Sequence, residues 1–210
     1  MTMNDVEKAV RSRDSEAAVA AASDMLASGV SANRIYWEGA YAAIYAAEKD
    51  AEIGKIGLPV LLQTVKVADA VKEAVKFEKP DLGRAITCTV DSHTDGRNLM
   101  ALLLGIAGFD VVILEKDRTE IDVANFCAEP DVTVCTASAE FCTPGNKLKT
   151  LVQALKDEGV RDKVVFNAGG LPVTHAAAKD LGSDVHSDSA ADSVKQILEM
   201  VMDRKGIKPF

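Results

Sequence analysis

Apolar residues recur at helical spacing through the first third of the chain. One run extends from Ser15 to Leu26, and a second carries apolar residues from Ile35 to Ala47. A third begins at Gly57-Leu-Pro59, where proline suits the first turn of a helix. With a shorter helix near Val6 to Arg11, this spacing predicts a four-helix bundle over residues 1–79.

The pattern changes after a short linker at 80–84. Beyond it, helical patterns near 97–107, 119–127, 145–158, 173–180 and 189–202 alternate with short apolar runs. These runs are predicted strands at Ala85–Val90, Val111–Leu114, Val132–Thr136, Val164–Asn167 and Asp184–His186. Such alternation is typical of a parallel sheet with helices on both faces. Residues 85–210 are therefore predicted to form a flavodoxin-like (Rossmann-like) α/β domain with five parallel strands.

Composition and charge narrow the class of partner. The chain has 210 residues and a formal net charge of −8, with no basic cluster to offset it, which argues against nucleic acid. The N-terminus lacks the basic start and apolar core of a signal peptide. No apolar stretch is long enough to span a bilayer. We therefore expect a cytoplasmic protein with neither a nucleic-acid nor a membrane partner.

The cysteines do not indicate a metal or redox centre. Cys88, Cys127, Cys135 and Cys142 form no Cys-x-x-Cys pair and have no histidine at zinc-finger spacing. We expect buried, reduced thiols that pack like small apolar side chains.

The segment Asp91-Ser-His93-Thr-Asp-Gly96 carries the most specific chemistry in the chain. A histidine at a strand end can project into the crevice above a parallel sheet, where open α/β proteins bind ligands. A carboxylate two residues earlier can hydrogen-bond the other ring nitrogen, fix the tautomer and raise the basicity of the imidazole. Gly96 allows a close approach of the backbone.

This segment resembles the Asp-x-His-x-x-Gly motif of cobalamin-binding proteins, and Gly169-Gly170 resembles the family's Gly-Gly segment. The resemblance implies that His93 is the lower axial ligand of cobalt and that Asp91 orients it. It also implies that the two glycines leave room for the nucleotide tail of the cofactor. The candidate cofactor contacts in the first motif are Asp91, Ser92, His93, Thr94, Asp95 and Gly96.

A third family motif, Ser-x-Leu, is only partly present. Counting from Gly96 places Ser138 at the position of the family's serine, whereas alignment by the strand end places Thr136 there. Neither alignment retains the leucine. Either hydroxyl could bind the base of the tail or link to the carboxylate–imidazole pair.

The helical half is similar to the cap of corrinoid proteins in methyl transfer, including the cap of cobalamin-dependent methionine synthase. The similar segments lie near 27–30 and 57–62. The resemblance implies a bundle that covers the upper face of the corrin and shields a bound methyl group.

The family resemblance implies a base-off/His-on cobalamin, with methylcobalamin as the intermediate. The chain offers no zinc-ligand set and no barrel domain to activate a methyl donor, so no residue is assigned a catalytic role. We expect a methyl-carrier subunit rather than a stand-alone catalyst. Its expected partners are a substrate-specific methyltransferase, a second methyltransferase acting on a thiol or pterin, and a reductive activation protein. The donor would be a methylamine, methanol or an aryl methyl ether.

Several further residues have a structural and a functional interpretation. His186, at the end of the last predicted strand, could contact the tail, whereas His175 is expected to face solvent. Trp37 and Tyr41 share a helical face and are expected to fill the core rather than contact the corrin. Asp95 could accept a hydrogen bond from a corrin amide or simply stabilise a helix N-terminus.

Three alternative functions remain. A small cobalamin-binding subunit of a carbon-skeleton mutase shares the first motif, but it lacks a cap of this kind. A cobalamin photosensor or transcription regulator would need a DNA-binding domain, which the length and acidity do not favour. A flavodoxin-like scaffold that has lost its cofactor is compatible with the incomplete third motif.

Overall fold

The structure is a computed structural model, described here for residues 1–139, 145–170 and 173–208. It divides into two compact units. A helical unit comprises Met1–Pro80 with Ile207 and Lys208, and an α/β unit comprises Asp81–Gly206. No helix among the described residues is long and apolar enough to cross a membrane.

The helical unit contains four packed helical stretches, as the apolar spacing predicts. The first two are α1 (Met3–Ser12) and α2 (Ser15–Ala27). The third is continuous but changes its hydrogen bonding, from α3 (Ala32–Arg34) through a π-helical segment (Ile35–Tyr41) to α4 (Ala42–Glu52). The fourth is α5 (Leu58–Ala74), with proline in its first turn.

An aromatic cluster lies in the core of this unit. The π-helical segment contributes Tyr36, Trp37 and Tyr41, all buried, and Phe77 stacks on Tyr36 with ring centroids 4.2 Å apart. Trp37 meets both tyrosines edge to face. Core packing, the interpretation preferred from the sequence, therefore accounts for Trp37 and Tyr41.

The α/β unit is built on parallel strands. They are β1 (Arg84–Thr89), β2 (Asp110–Ile113), β3 (Val132–Ser138) and β4 (Val165–Gly169). The sheet order is β2-β1-β3-β4, and all pairs of neighbouring strands are parallel. The helices are α6 (Asp95–Ala107), α7 (Glu120–Cys127), α8 (Gly145–Asp157), α9 (His175–Asp180) and α10 (Ala190–Arg204).

The expectation of a fifth strand is wrong, because the described sheet has four. Of the predicted strand Asp184–His186, only Val185 pairs with β4, in an isolated bridge to Asn167. Side chains take over much of the bonding that a strand would provide. The Phe166 amide donates to Asp184 Oδ2 (2.7 Å), and the Ala168 amide donates to Ser183 Oγ (3.0 Å). The outer amides of β4 are thus satisfied without a regular ladder.

The two faces of the sheet differ in polarity. The face toward α7 and α8 is an apolar core that includes Ile86, Phe166 and three cysteines. Cys88, Cys127 and Cys135 are buried and free, as expected; Cys142 lies outside the described residues. Hydrogen bonding with the Cys127 and Cys88 thiols, together with burial, raises the pKa of the Cys135 thiol. The burial of all three thiols agrees with their expected role as packing groups.

Candidate functional site

The loop between β1 and α6 carries the Asp91–Gly96 segment at the carboxyl ends of the strands. Asp91 Oδ1 accepts a hydrogen bond from the backbone N–H of His93 at 2.9 Å, which closes a tight local turn. The His93 side chain is 43% exposed, and its Nδ1 lies 3.3 Å from Ser92 Oγ. The histidine is therefore presented outward at the edge of the sheet.

The carboxylate and the imidazole are close, but their geometry differs from the expected hydrogen bond. His93 Nδ1 lies 4.0 Å from Asp91 Oδ1, longer than a hydrogen bond. The same carboxylate oxygen is already held by the His93 backbone amide. Asp91 thus shapes the loop directly, and its bond to the ring stays a prediction for the ligand-bound protein.

Gly96 brings α6 against the end of β3. A β-carbon at this position would lie 3.2 Å from Ser138 Cβ, so a larger residue would require a local shift of the two segments. Thr94 is the N-cap residue of α6 and Asp95 lies in its first turn. Asp95 therefore has the position expected of an acid that stabilises a helix N-terminus. There its negative charge interacts favourably with the positive end of the helix dipole.

The register of β3 distinguishes the two candidates for the third motif. Ser138 ends the strand, half-buried, and pairs with Thr89 on one side and Gly169 on the other. Thr136 lies one row deeper, buried between Thr87 and Asn167. Ser138 is thus the hydroxyl that lies beside Gly96 at the edge.

The two adjacent glycines have different roles. Gly170 has φ +113°, and a β-carbon there would lie 1.8 Å from the carbonyl oxygen of Ala139, so the backbone itself requires glycine. A β-carbon at Gly169 would meet, among the described atoms, only Asn167 Nδ2 at 3.8 Å. Of the two glycines, only Gly169 is free of close contacts with the described atoms, and the amide of Asn167 lies nearest to it among them.

A buried polar row, Thr87, Thr136 and Asn167, crosses the sheet on the face opposite the apolar core. The three residues pair laterally, and each is at most 3% exposed. Thr87 Oγ1 and Asn167 Oδ1 are buried without a hydrogen-bond partner in the described structure. Buried polar atoms without partners are costly and rare in native proteins. The row therefore marks a place where a polar ligand would be stabilising.

Sequence reasoning missed Thr87, Thr89 and Asn167. A signal was present, because threonine alternates with apolar residues at 87 and 89 of β1 and serine follows threonine at 136 and 138 of β3. This period of two places all four hydroxyls on one face of the sheet.

His186 follows Val185, the residue that bridges to Asn167. Its side chain is 8% exposed, and its ring packs edge to face on that of His175, with centroids 5.5 Å apart, at the start of α9. Both ring nitrogens are buried without a hydrogen-bond partner among the described residues. His175 itself is exposed, as expected. Contact between His186 and a nucleotide tail stays a prediction.

Taken together, Asp91, His93, Gly96, Ser138 and Gly169 converge at the carboxyl edge of the sheet. No group of three or more metal-ligating side chains occurs in the part of the chain that the structure describes. The fold thus defines the class of doubly wound α/β proteins, in which ligands bind beyond the carboxyl ends of the strands, and one outward-facing imidazole lies at that edge.

Comparison with known proteins identifies the family. No protein-family profile matches the chain. Trimethylamine corrinoid protein 2 of Methanosarcina acetivorans is 32% identical over 199 residues, which cover 88% of this chain and 89% of the relative. The chain therefore belongs to the corrinoid proteins of methyltransferase systems.

Solved structures agree with the fold. A cobalamin-binding protein from Desulfitobacterium hafniense superposes with a TM-score of 0.71 at 20% identity, covering 93% of this chain and 97% of its own. A chain of the methanol:cobalamin methyltransferase complex MtaBC from Methanosarcina barkeri gives a TM-score of 0.61 at 18% identity, covering 95% of this chain and 79% of its own.

Proposed function

We propose that this protein binds a corrinoid base-off/His-on and carries a methyl group between two methyltransferases. The single observation that best supports binding is the buried polar row beside Gly169, where Thr87 Oγ1 and Asn167 Oδ1 have no hydrogen-bond partner among the described residues. A nucleotide tail is polar and would enter from the edge where Gly169 leaves room. The residues present therefore fit the group.

The exposed imidazole of His93 would hold the cobalt, and Asp91 would fix the loop and orient the ring. When bound, the corrinoid supplies a cobalt centre that accepts a methyl group from a donor and gives it to an acceptor. The chain itself would supply the imidazole nitrogen of His93 and, beside Gly169, the space for the tail. Ser138 is the better candidate for a contact with the tail, since it lies at the edge beside Gly96 and Gly169.

The names of related proteins support the proposed position of the protein in methyl transfer. A relative is named for trimethylamine, and a structural neighbour belongs to a complex that acts on methanol. The higher sequence identity of the former favours a methylated amine as the donor. The methanol complex supports a substrate-specific methyltransferase as the first partner. A second methyltransferase, acting on a thiol or pterin, and a reductive activation protein complete the proposed cycle.

The His-on state is tested by removing the ligand. The protein and its His93→Ala variant are loaded anaerobically with cobalamin and reduced to Co(II), and the electron paramagnetic resonance spectrum is recorded. With isotopically labelled histidine, the nitrogen splitting of the unsubstituted protein should change, because the axial nitrogen then has a different nuclear spin. His93→Ala should lose the histidine splitting and still bind the tail.

The matched control is His175→Ala, which removes an exposed imidazole from α9. It should retain the labelled signal. A spectrum that labelling leaves unchanged in the unsubstituted protein would contradict the His-on proposal. Absence of any cobalamin binding would contradict the proposed function as a whole and favour a scaffold role.

A further inference from the structure

Thr89, the last residue of β1, has a hydroxyl that contacts three segments of the site. Its Oγ1 lies 2.7 Å from the carbonyl oxygen of His93, 3.3 Å from Asp91 Oδ1 and 3.3 Å from the carbonyl oxygen of Ser138. The backbone N–H of Asp91 lies 3.4 Å from the same oxygen and can donate to it. Thr89 is 6% exposed, so water does not compete freely for these bonds.

The hydroxyl has one proton, and the distances indicate where it goes. The His93 carbonyl is much the nearest acceptor, so the O–H donates there, while the oxygen accepts from the Asp91 amide. One side chain thus connects Asp91 to His93, the residue that carries the imidazole. The regular pairing of β1 with β3 ends beside it, where the Val90 amide donates to the Ser138 carbonyl at 3.0 Å.

We propose that Thr89 is a positioning residue that holds the backbone of His93 so that its imidazole can serve as the axial ligand. This inference rests on the proposed function. The His93 side chain is 43% exposed, so packing does little to fix its direction. Asp91 holds the amide side of His93 through the backbone turn, and Thr89 holds its carbonyl side. Loss of the Thr89 hydroxyl would remove the bond that it donates to the His93 carbonyl.

The expected consequence is a weaker bond between imidazole and cobalt. Loss of one buried hydrogen bond typically changes an equilibrium about tenfold. Because protonation of the imidazole competes with metal binding, a tenfold weaker bond raises the pH at which histidine is released by about one unit.

The experiment compares Thr89→Val, which preserves the shape, with Thr89→Ser, which retains the hydroxyl. Each holo-protein is titrated with acid, and the loss of the His-on absorbance spectrum is followed. The midpoint should rise by about one pH unit in Thr89→Val and return close to that of the unsubstituted protein in Thr89→Ser. If Thr89→Val does not fold, Thr89→Ala removes the same hydroxyl without the added methyl group and is titrated in its place.

The matched control is Thr133→Val, in which a threonine hydroxyl that donates to the Leu82 carbonyl at 2.8 Å is lost at the opposite end of the sheet. It should reduce stability without moving the midpoint. A Thr89→Val midpoint equal to that of the unsubstituted protein would overturn the inference. Failure of the proposed function is a different result: the unsubstituted protein and His93→Ala would then give the same spectrum.

Discussion

At the scale of single residues, two adjacent glycines show how one motif combines folding and binding. Gly170 is required by the chain itself, because its φ is +113° and the Ala139 carbonyl occupies the place of a side chain. Gly169 has no such constraint among the described atoms. If the Gly-Gly motif is interpreted only as room for a ligand, Gly170 is given a binding role that its backbone conformation already explains.

The two positions should respond differently to alanine. Gly170→Ala should lower the free energy of unfolding by at least about 2 kcal/mol, because it forces a strained backbone or a displaced neighbour. Gly169→Ala should change it by less than about 0.5 kcal/mol and instead weaken corrinoid binding. Urea unfolding and an absorbance titration measure the two effects. Equal stability loss in both variants would refute the division of roles.

The sequence predicted much of the site, but not its polar interior. The Asp91–Gly96 motif and the adjacent glycines were found because their residue types are distinctive. Thr87, Thr89 and Asn167 were missed because threonine is common in strands and asparagine is common at strand ends. Their meaning depends on the lateral register of three strands, which no local pattern specifies.

At the scale of elements, the helices were predicted well from their apolar spacing, whereas the fifth strand was predicted wrongly. Apolar repeats identify helices because burial stabilises one continuous face. The short run Asp184–His186 has apolar character only at Val185, and its neighbours bond to β4 through side chains. A three-residue run does not indicate whether its backbone or its side chains will form the hydrogen bonds to the neighbouring strand.

Helix α4 carries an unusual group, the carboxyl of Glu48. The residue is 3% exposed, and neither carboxylate oxygen has a hydrogen-bond partner in the described structure. Burial raises the pKa of Glu48 to about 8, and the charge of Glu52 adds to the shift. The carboxyl is therefore largely protonated in the folded protein at neutral pH.

The stability of the helical unit should consequently fall as the pH rises. The folded state retains a proton that the unfolded chain releases near the ordinary glutamate pKa of 4.5, so this contribution to stability is fully present below pH 4.5 and is lost as the pH rises to about 8. Glu48→Gln should remove most of this dependence and stabilise the protein at about pH 8 by a few kcal/mol. Urea unfolding at several pH values, followed by Trp37 fluorescence, measures this pH dependence, since Trp37 is the only tryptophan.

The control for this prediction is Glu73→Gln, which alters a carboxylate whose side chain is 79% exposed on α5. Its pH dependence should match that of the unsubstituted protein. An unchanged slope in Glu48→Gln would show that Glu48 is hydrated or paired in solution.

At the scale of the whole molecule, each of the two units contains its own probe. Trp37 lies in the helical unit, and the buried thiols of Cys88, Cys127 and Cys135 lie in the α/β unit. The proposed corrinoid should protect the second unit directly. A ligand present at about a hundredfold excess over its Kd lowers the population of the unfolded unit, in which the thiols are exposed, about a hundredfold.

A Cys142→Ser variant lets this be measured by thiol labelling, since the remaining cysteines are all buried. Saturating alkyl-capped corrinoid should slow labelling by up to about two orders of magnitude. If the helical unit also covers the cofactor, as the family resemblance implies, the urea midpoint reported by Trp37 should rise as well. If corrinoid protects only the thiols, the proposed cap is contradicted. If it protects neither the thiols nor the helical unit, corrinoid binding is contradicted.

The side-chain bonding along β4 has a consequence for how molecules meet in solution. An open border of a sheet offers a template on which another chain can polymerise. Here the outward amides of Phe166 and Ala168 are already occupied by the Asp184 carboxylate and the Ser183 hydroxyl. A visiting strand would have to displace both of these groups and the Val185 bridge to Asn167 before it could dock, so this margin resists filament growth.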